Sequence, residues 1–80
     1  MARGTIRYWA AARAAAGTAE EPFDGSTLGE VLDKAAAARS PEFARVLAHS
    51  SLLVDGLRAR REQTLTESAV IEVLPPFAGG

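Results

Sequence analysis

The stretch Ala69-Val70-Ile71-Glu72-Val73-Leu74-Pro75-Pro76-Phe77-Ala78-Gly79-Gly80 decides how the rest of the chain is read. Residues 69–74 are dominated by aliphatic and β-branched side chains, which makes them the strongest strand in the sequence. With period two, Ala69, Ile71 and Val73 face inward, while Val70, Glu72 and Leu74 face the opposite side. Proline has no N–H to give a sheet ladder, so the strand must end at Leu74. Pro75-Pro76 prefers polyproline II geometry, so the tail is stiff at its root and projects away from the sheet. Ala78, Gly79 and Gly80 carry almost no side chain. A flexible tip of this kind fits a channel too narrow for larger residues, and it ends in a carboxylate with nothing branching beside it.

Thr5-Ile6-Arg7-Tyr8-Trp9 alternates as a strand too, with Ile6 and Tyr8 on one face and Thr5, Arg7 and Trp9 on the other. Ala10 to Ala16 is helix-friendly but short, and Gly17 is placed as its C-cap. Thr18 to Phe23 reads as a polar strand antiparallel to the first, which Glu20, Glu21 and Pro22 confine to an edge. Asp24-Gly25-Ser26 reads as a turn. Thr27-Leu28-Gly29-Glu30 matches a capping box, and Leu28, Val31, Leu32 and Ala35 form the stripe of one clear amphipathic helix running to about Arg39. Ser40-Pro41 stops it and opens a short helical piece with Phe43, Val46 and Leu47 on one side. Ser51 to Val54 is a third strand, Asp55-Gly56 a hairpin signal, and Leu57 to Ala59 the return. Leu65 plugs the core from the polar connection between Arg60 and Ser68.

These elements predict an α+β fold: a mixed four- to five-stranded sheet packed on one main helix. The first and last strands are the most apolar, so they belong side by side in its centre. Residues 1–74 form the domain and residues 75–80 an extended tail.

Composition narrows the function. Eighty residues suffice for one domain, and 48% apolar with 24% charged residues is ordinary globular usage. Nine Lys+Arg against ten Asp+Glu give a net charge of -1, so neither nucleic acid nor a membrane surface is an expected partner. There is no Cys and a single His, which argues against disulfides and a structural metal. No apolar run approaches the ~20 residues of a membrane span and no export signal opens the chain, so the expected location is cytoplasmic.

The chemistry therefore falls to the tail. A carboxylate is a poor electrophile until activated, typically as an acyl-adenylate, and the chain has neither GxxxxGK[ST] nor GxGxxG to bind a nucleotide. Another protein must grip the tail and activate Gly80, after which an amine, thiol or sulfide donor can attack its carbonyl. No catalytic constellation exists to make the chain an enzyme by itself. His49 beside Ser50 and Ser51 lacks a nucleophile elbow and reads as a loop histidine. Trp9 and Leu74 point away from the core on neighbouring strands near the tail root, and the hairpin adds Leu57. Together they form a candidate partner surface; the alternative is that Trp9 packs beneath Ala10 to Ala16. Arg58, Arg60 and Arg61 suit either an acidic partner or a solvated face, and Lys34 lies on the exposed side of the helix.

Leu74-Pro75-Pro76-Phe77-Ala78-Gly79-Gly80 resembles the tail of the MoaD small subunits of molybdopterin synthase, within the MoaD/ThiS ubiquitin-like sulfur carriers. The Tyr8-to-Gly17 run, the Thr27-led helix, Val54-Asp55-Gly56 and Leu65 are similar to the family pattern as well. Glu67-Ser68-Ala69 departs from the acidic-Gly-acidic turn common there. The resemblance implies a ubiquitin-like β-grasp whose Gly80 carboxylate is adenylated by a MoeB-like enzyme using ATP and then converted to a thiocarboxylate with sulfur from a donor protein. It implies further that Pro75, Pro76, Phe77, Ala78 and Gly79 thread a MoaE-type large subunit. There the sulfur passes to cyclic pyranopterin monophosphate in molybdenum cofactor biosynthesis, usually in a heterotetramer. The carrier itself binds no cofactor. A carrier for thiazole, cysteine or another sulfur metabolite, and a ubiquitin-like conjugation or binding module, are the alternatives.

Overall fold

Ile6, Tyr8, Ile71 and Val73 are the side chains around which the domain closes, each at most 2% exposed. The computed structural model describes residues 1–76. Its elements are β1 (Ala2–Tyr8), α1 (Ala10–Ala16), β2 (Glu20–Gly25), α2 (Leu28–Ala37), α3 (Pro41–Ala48), β3 (Ser51–Val54), β4 (Leu57–Arg58) and β5 (Val70–Leu74). The strands form one five-stranded sheet in the order β2-β1-β5-β3-β4. β1 and β5 are parallel neighbours in its centre, with Ile6 opposite Ile71 and Tyr8 opposite Val73, and every other pairing is antiparallel. Helices cover one face only. This is the β-grasp, ubiquitin-like arrangement expected from the sequence.

Three helices rather than one cover that face. α2 buries Leu28, Val31, Leu32 and Ala35 as its stripe predicts, but α3 adds Phe43 and α1 adds Ala12. Each short helix is held by one fully buried side chain, a contribution that helical periodicity cannot display. α2 also ends at Ala37, so that Arg39 leaves the helix axis and turns back toward the sheet. β2 begins at Glu20 and continues through Asp24 and Gly25, where a turn was expected. Pairing with Arg3 and Ala2 extends it, because Phe23 and Gly25 both fall on the buried face.

Local signals explain the boundaries. Gly17 caps α1 at φ 79°, a left-handed conformation costly for any residue with a Cβ. Thr27 accepts a hydrogen bond from the N–H of Glu30 at 3.2 Å, while Glu30 Oε1 reaches back to the N–H of Ser26 at 2.6 Å, one residue before the cap. Asp55 and Gly56 take φ values of 50° and 84°, the geometry of a two-residue primed hairpin turn. Asp55 also accepts a hydrogen bond from the N–H of Val70 at 2.9 Å, which fastens that turn to the start of β5. At Gly4 a Cβ would lie 2.2 Å from the carbonyl oxygen of Ala69 and 2.6 Å from the Phe23 ring, so no side chain fits there.

The exposed edge of β2 is blunted rather than sticky. The Tyr8 N–H to Ala19 carbonyl bond fixes the ladder phase, which turns the main-chain groups of Glu20, Pro22 and Asp24 outward. Pro22 has no N–H to offer, the Thr18 hydroxyl donates to the carbonyl of Glu20, and Lys34 Nζ donates to the carbonyl of Asp24 at 2.9 Å. Lys34 thus has a structural role in addition to its charge.

One polar network reaches into the core. Tyr8 donates to Glu21 Oε2 at 2.5 Å, and the Arg39 guanidinium pairs with the same oxygen at 3.0 Å. Arg39 lies over the Tyr8 and Phe43 rings and donates to the carbonyls of Ala16 and Ala35. Burial first, and then the bond to Glu21, push the Tyr8 hydroxyl pKa well up. Burial alone would raise the Glu21 carboxyl, but the hydrogen bonds from Arg39 and Tyr8 outweigh it and hold the pKa below its ordinary value. A depressed carboxyl pKa contributes stability above the unfolded value, and that contribution is lost as pH falls through the folded one. The stability gap between the parent and Glu21→Gln is therefore expected to be constant at neutral pH. It should shrink progressively below about pH 4, as read from urea melts across pH.

Ser68 stands at φ 67° in the turn before β5. The resemblance noted above implies a glycine at this position, and a Cβ is strained there. Ser68→Gly is expected to stabilise the fold by about 1 kcal/mol in the same melts.

Candidate functional site

Three surfaces meet where β5 ends. The first is the tail root itself: Leu74 closes the strand, Pro75 is half-buried and Pro76 is exposed. Phe77, Ala78, Gly79 and Gly80, the remaining tail residues singled out from the sequence, lie outside the described residues.

The second is the uncovered face of the sheet. Register places Glu20, Arg7, Glu72, Leu53 and Arg58 in one row across all five strands, with alternating charge at one end. Trp9 and Leu74 lie beyond that row toward the tail root. Trp9 is 41% exposed; its indole N–H donates to Glu72 Oε2 at 3.2 Å, and the Arg7 guanidinium sits 5.4 Å from its ring. It therefore does not pack beneath α1 but is held upright on the open face by two charged neighbours. A large amphipathic side chain fixed in this way loses little entropy on contact, which suits a docking anchor.

Leu57 does not join this patch. It pairs with Val54, whose side chain is in the core, so Leu57 points to the helix side of the sheet at its far edge, 74% exposed. The two-residue hairpin loop sets that parity, and the loop length was already readable in the sequence. Arg61 likewise leaves the expected cluster, bonding Asp33 at 2.7 Å and tying the connection to α2. Arg58 alone of the three arginines lies on the open face by register.

The third surface is a recess of about 280 Å³ on the helix side of the tail root, between α1 and α3. Ala11, Val46 and the two prolines line it, with His49 at its rim. His49 lies in the turn after α3, as a loop histidine should, and serves as the C-cap of that helix, with Nδ1 2.9 Å from the carbonyl oxygen of Arg45. No sequence signal marked this recess, because its walls are brought together by the docking of two short helices. Among the described residues, no cluster of three or more His, Cys, Asp or Glu could hold a metal, and no helix is long and apolar enough to cross a membrane.

The family profile of ThiS matches residues 6–80, almost the whole chain. The chain belongs to the ThiS family. Curated proteins give no match. Among solved structures, the solution structure of small archaeal modifier protein 1 from Methanosarcina acetivorans is 28% identical, with a TM-score of 0.86 over 100% of this chain and 98% of that one. SAMP1 from Haloferax volcanii has 22% identity and a TM-score of 0.83 over 98% and 99% of the two chains. A Pyrococcus furiosus protein provisionally named molybdopterin converting factor subunit 1 has 20% identity and a TM-score of 0.83 over 95% and 99%. The last two likenesses concern the fold alone. The ThiS family groups ubiquitin-like proteins that act as sulfur carriers or as protein modifiers.

Proposed function

We propose that this chain is the sulfur-carrier subunit of a molybdopterin synthase. The Gly80 carboxylate attacks the α-phosphorus of ATP on a MoeB-like adenylating enzyme, and pyrophosphate leaves. Sulfide delivered by a sulfur-donor protein then attacks the acyl carbonyl; AMP leaves, a proton is released and a thiocarboxylate remains. Pro75, Pro76, Phe77, Ala78 and Gly79 carry that group into a MoaE-type large subunit, where the sulfur passes to cyclic pyranopterin monophosphate. One carrier sits at each end of a large-subunit dimer. The carrier supplies the reacting atom and no catalytic side chain, and ATP is used by the activating partner.

The observation that carries this reading is the ThiS family match running through Gly80 on a domain whose central strand ends at a Pro-Pro step. Trp9 and Leu74 supply the apolar part of the docking face beside it. The test is transfer: protein charged by an activating enzyme, ATP and a sulfur donor is mixed with a large subunit and the pyranopterin, and molybdopterin is the expected product. A charged protein that yields none, but serves thiazole or cysteine formation, identifies a different acceptor.

The likeness to small archaeal modifier protein 1 favours a second reading, in which a lysine amine of a target protein attacks the same adenylate. An amide then forms as AMP leaves. Gly80-linked adducts on other proteins in place of a thiocarboxylate would establish it.

A further inference from the structure

We infer that the recess between α1 and α3 is a docking pocket for the enzyme that activates the tail, receiving an aliphatic or aromatic side chain from the rim of that enzyme's channel. The inference rests on the carrier reading above. Its basis is steric. Residues 77–80 reach at most about 14 Å beyond Pro76, at up to ~3.6 Å per residue. An enzyme that takes Gly80 to a reaction centre must therefore bring the mouth of its channel against the tail root. Pro75 and Pro76 are themselves walls of the recess, so the recess lies under that mouth.

The chemistry of the recess selects the occupant. Ala11 and Val46 offer apolar walls, and the only charges at its rim, Glu42 and Arg45, bond to each other at 2.6 Å and cancel. An ionic occupant would find no unpaired countercharge. The carbonyl of Arg45 can only accept, so His49 Nδ1 donates to it, and Nε2 is left as the hydrogen-bonding atom available to the partner. The activating enzyme is the occupant we assign, because it is the one partner that must take the tail in both readings: thiocarboxylate and amide products each require activation first. Trp9 and Leu74 bear on the channel mouth from the sheet side and the recess from the helix side, so the tail enters between two contacts and its direction is fixed.

Ala11 is an exposed α1 residue, so Ala11→Glu fills the recess with bulk and charge at little cost to the helix. Ala14→Glu places the same side chain on the same helix outside the recess and serves as the control. With thermal midpoints compared, the KM of the activating enzyme for Ala11→Glu is expected to rise about tenfold with kcat retained, the equivalent of one lost apolar anchor. Ala14→Glu should match the parent. If Ala11→Glu unfolds the domain, Ala11→Gln makes the same comparison without the charge. A parental KM for the folded Ala11 variant overturns the pocket and leaves the carrier reading standing. Failure of the unaltered protein to be charged at all removes that reading, and the pocket with it.

Discussion

Deleting Gly80 is expected to leave the thermal unfolding of the domain unchanged and to reduce charging by the activating enzyme at least about a hundredfold. The two halves have separate causes. Every buried apolar residue of the described chain lies at or before Val73, so removing the last glycine takes nothing from the core. Charging, in contrast, depends on the place of one carbonyl carbon. The deletion leaves a glycine carboxylate at the end, chemically equivalent to the original, but withdraws it by up to ~3.6 Å. A misplacement of 1 Å from attack geometry can already cost ~10²-fold. Circular dichroism melts and adenylate-dependent pyrophosphate release measure the two effects. Loss of folding on deletion would mean that the tail belongs to the core after all.

Phe43→Ala is the substitution with the largest expected effect on stability, a loss of about 3–5 kcal/mol. Phe43 is fully buried and is the only buried residue of α3. Its ring meets Tyr8 edge to face with centroids 5.5 Å apart, and the Arg39 guanidinium lies over it, 5.0 Å from the ring centroid. Truncation opens a cavity at that junction and unpins α3. An 80-residue domain has only about 4–12 kcal/mol in total, so most of its margin disappears. Urea denaturation should show the loss directly. Because α3 also forms one wall of the recess beside the tail root, residual folded protein should be charged less readily.

Much of this was legible in the sequence, for reasons that differ by element. The inward sets Ile6/Tyr8 and Ile71/Val73 follow from strict alternation, and the placement of β1 beside β5 follows from their both being apolar. The α2 stripe and the Asp55-Gly56 turn are local patterns. What stayed hidden depends on distance. Tyr8 lies on β1, Glu21 on β2 and Arg39 in the connection after α2, and nothing in their spacing says that one carboxylate serves the other two. The same holds for the recess, whose walls come from α1, α3 and the tail root. Leu57 was misplaced for a different reason. Its exposure suggested a patch, yet a two-residue loop returns it to the face of Val54, and parity decides the side.

The most direct test is the intact and fragment mass of the unaltered protein after incubation with an activating enzyme, ATP and a sulfur donor. The account predicts one sulfur in place of one oxygen, located on Gly80. An unchanged mass under conditions that charge a known carrier, or a sulfur found on any other residue, contradicts it.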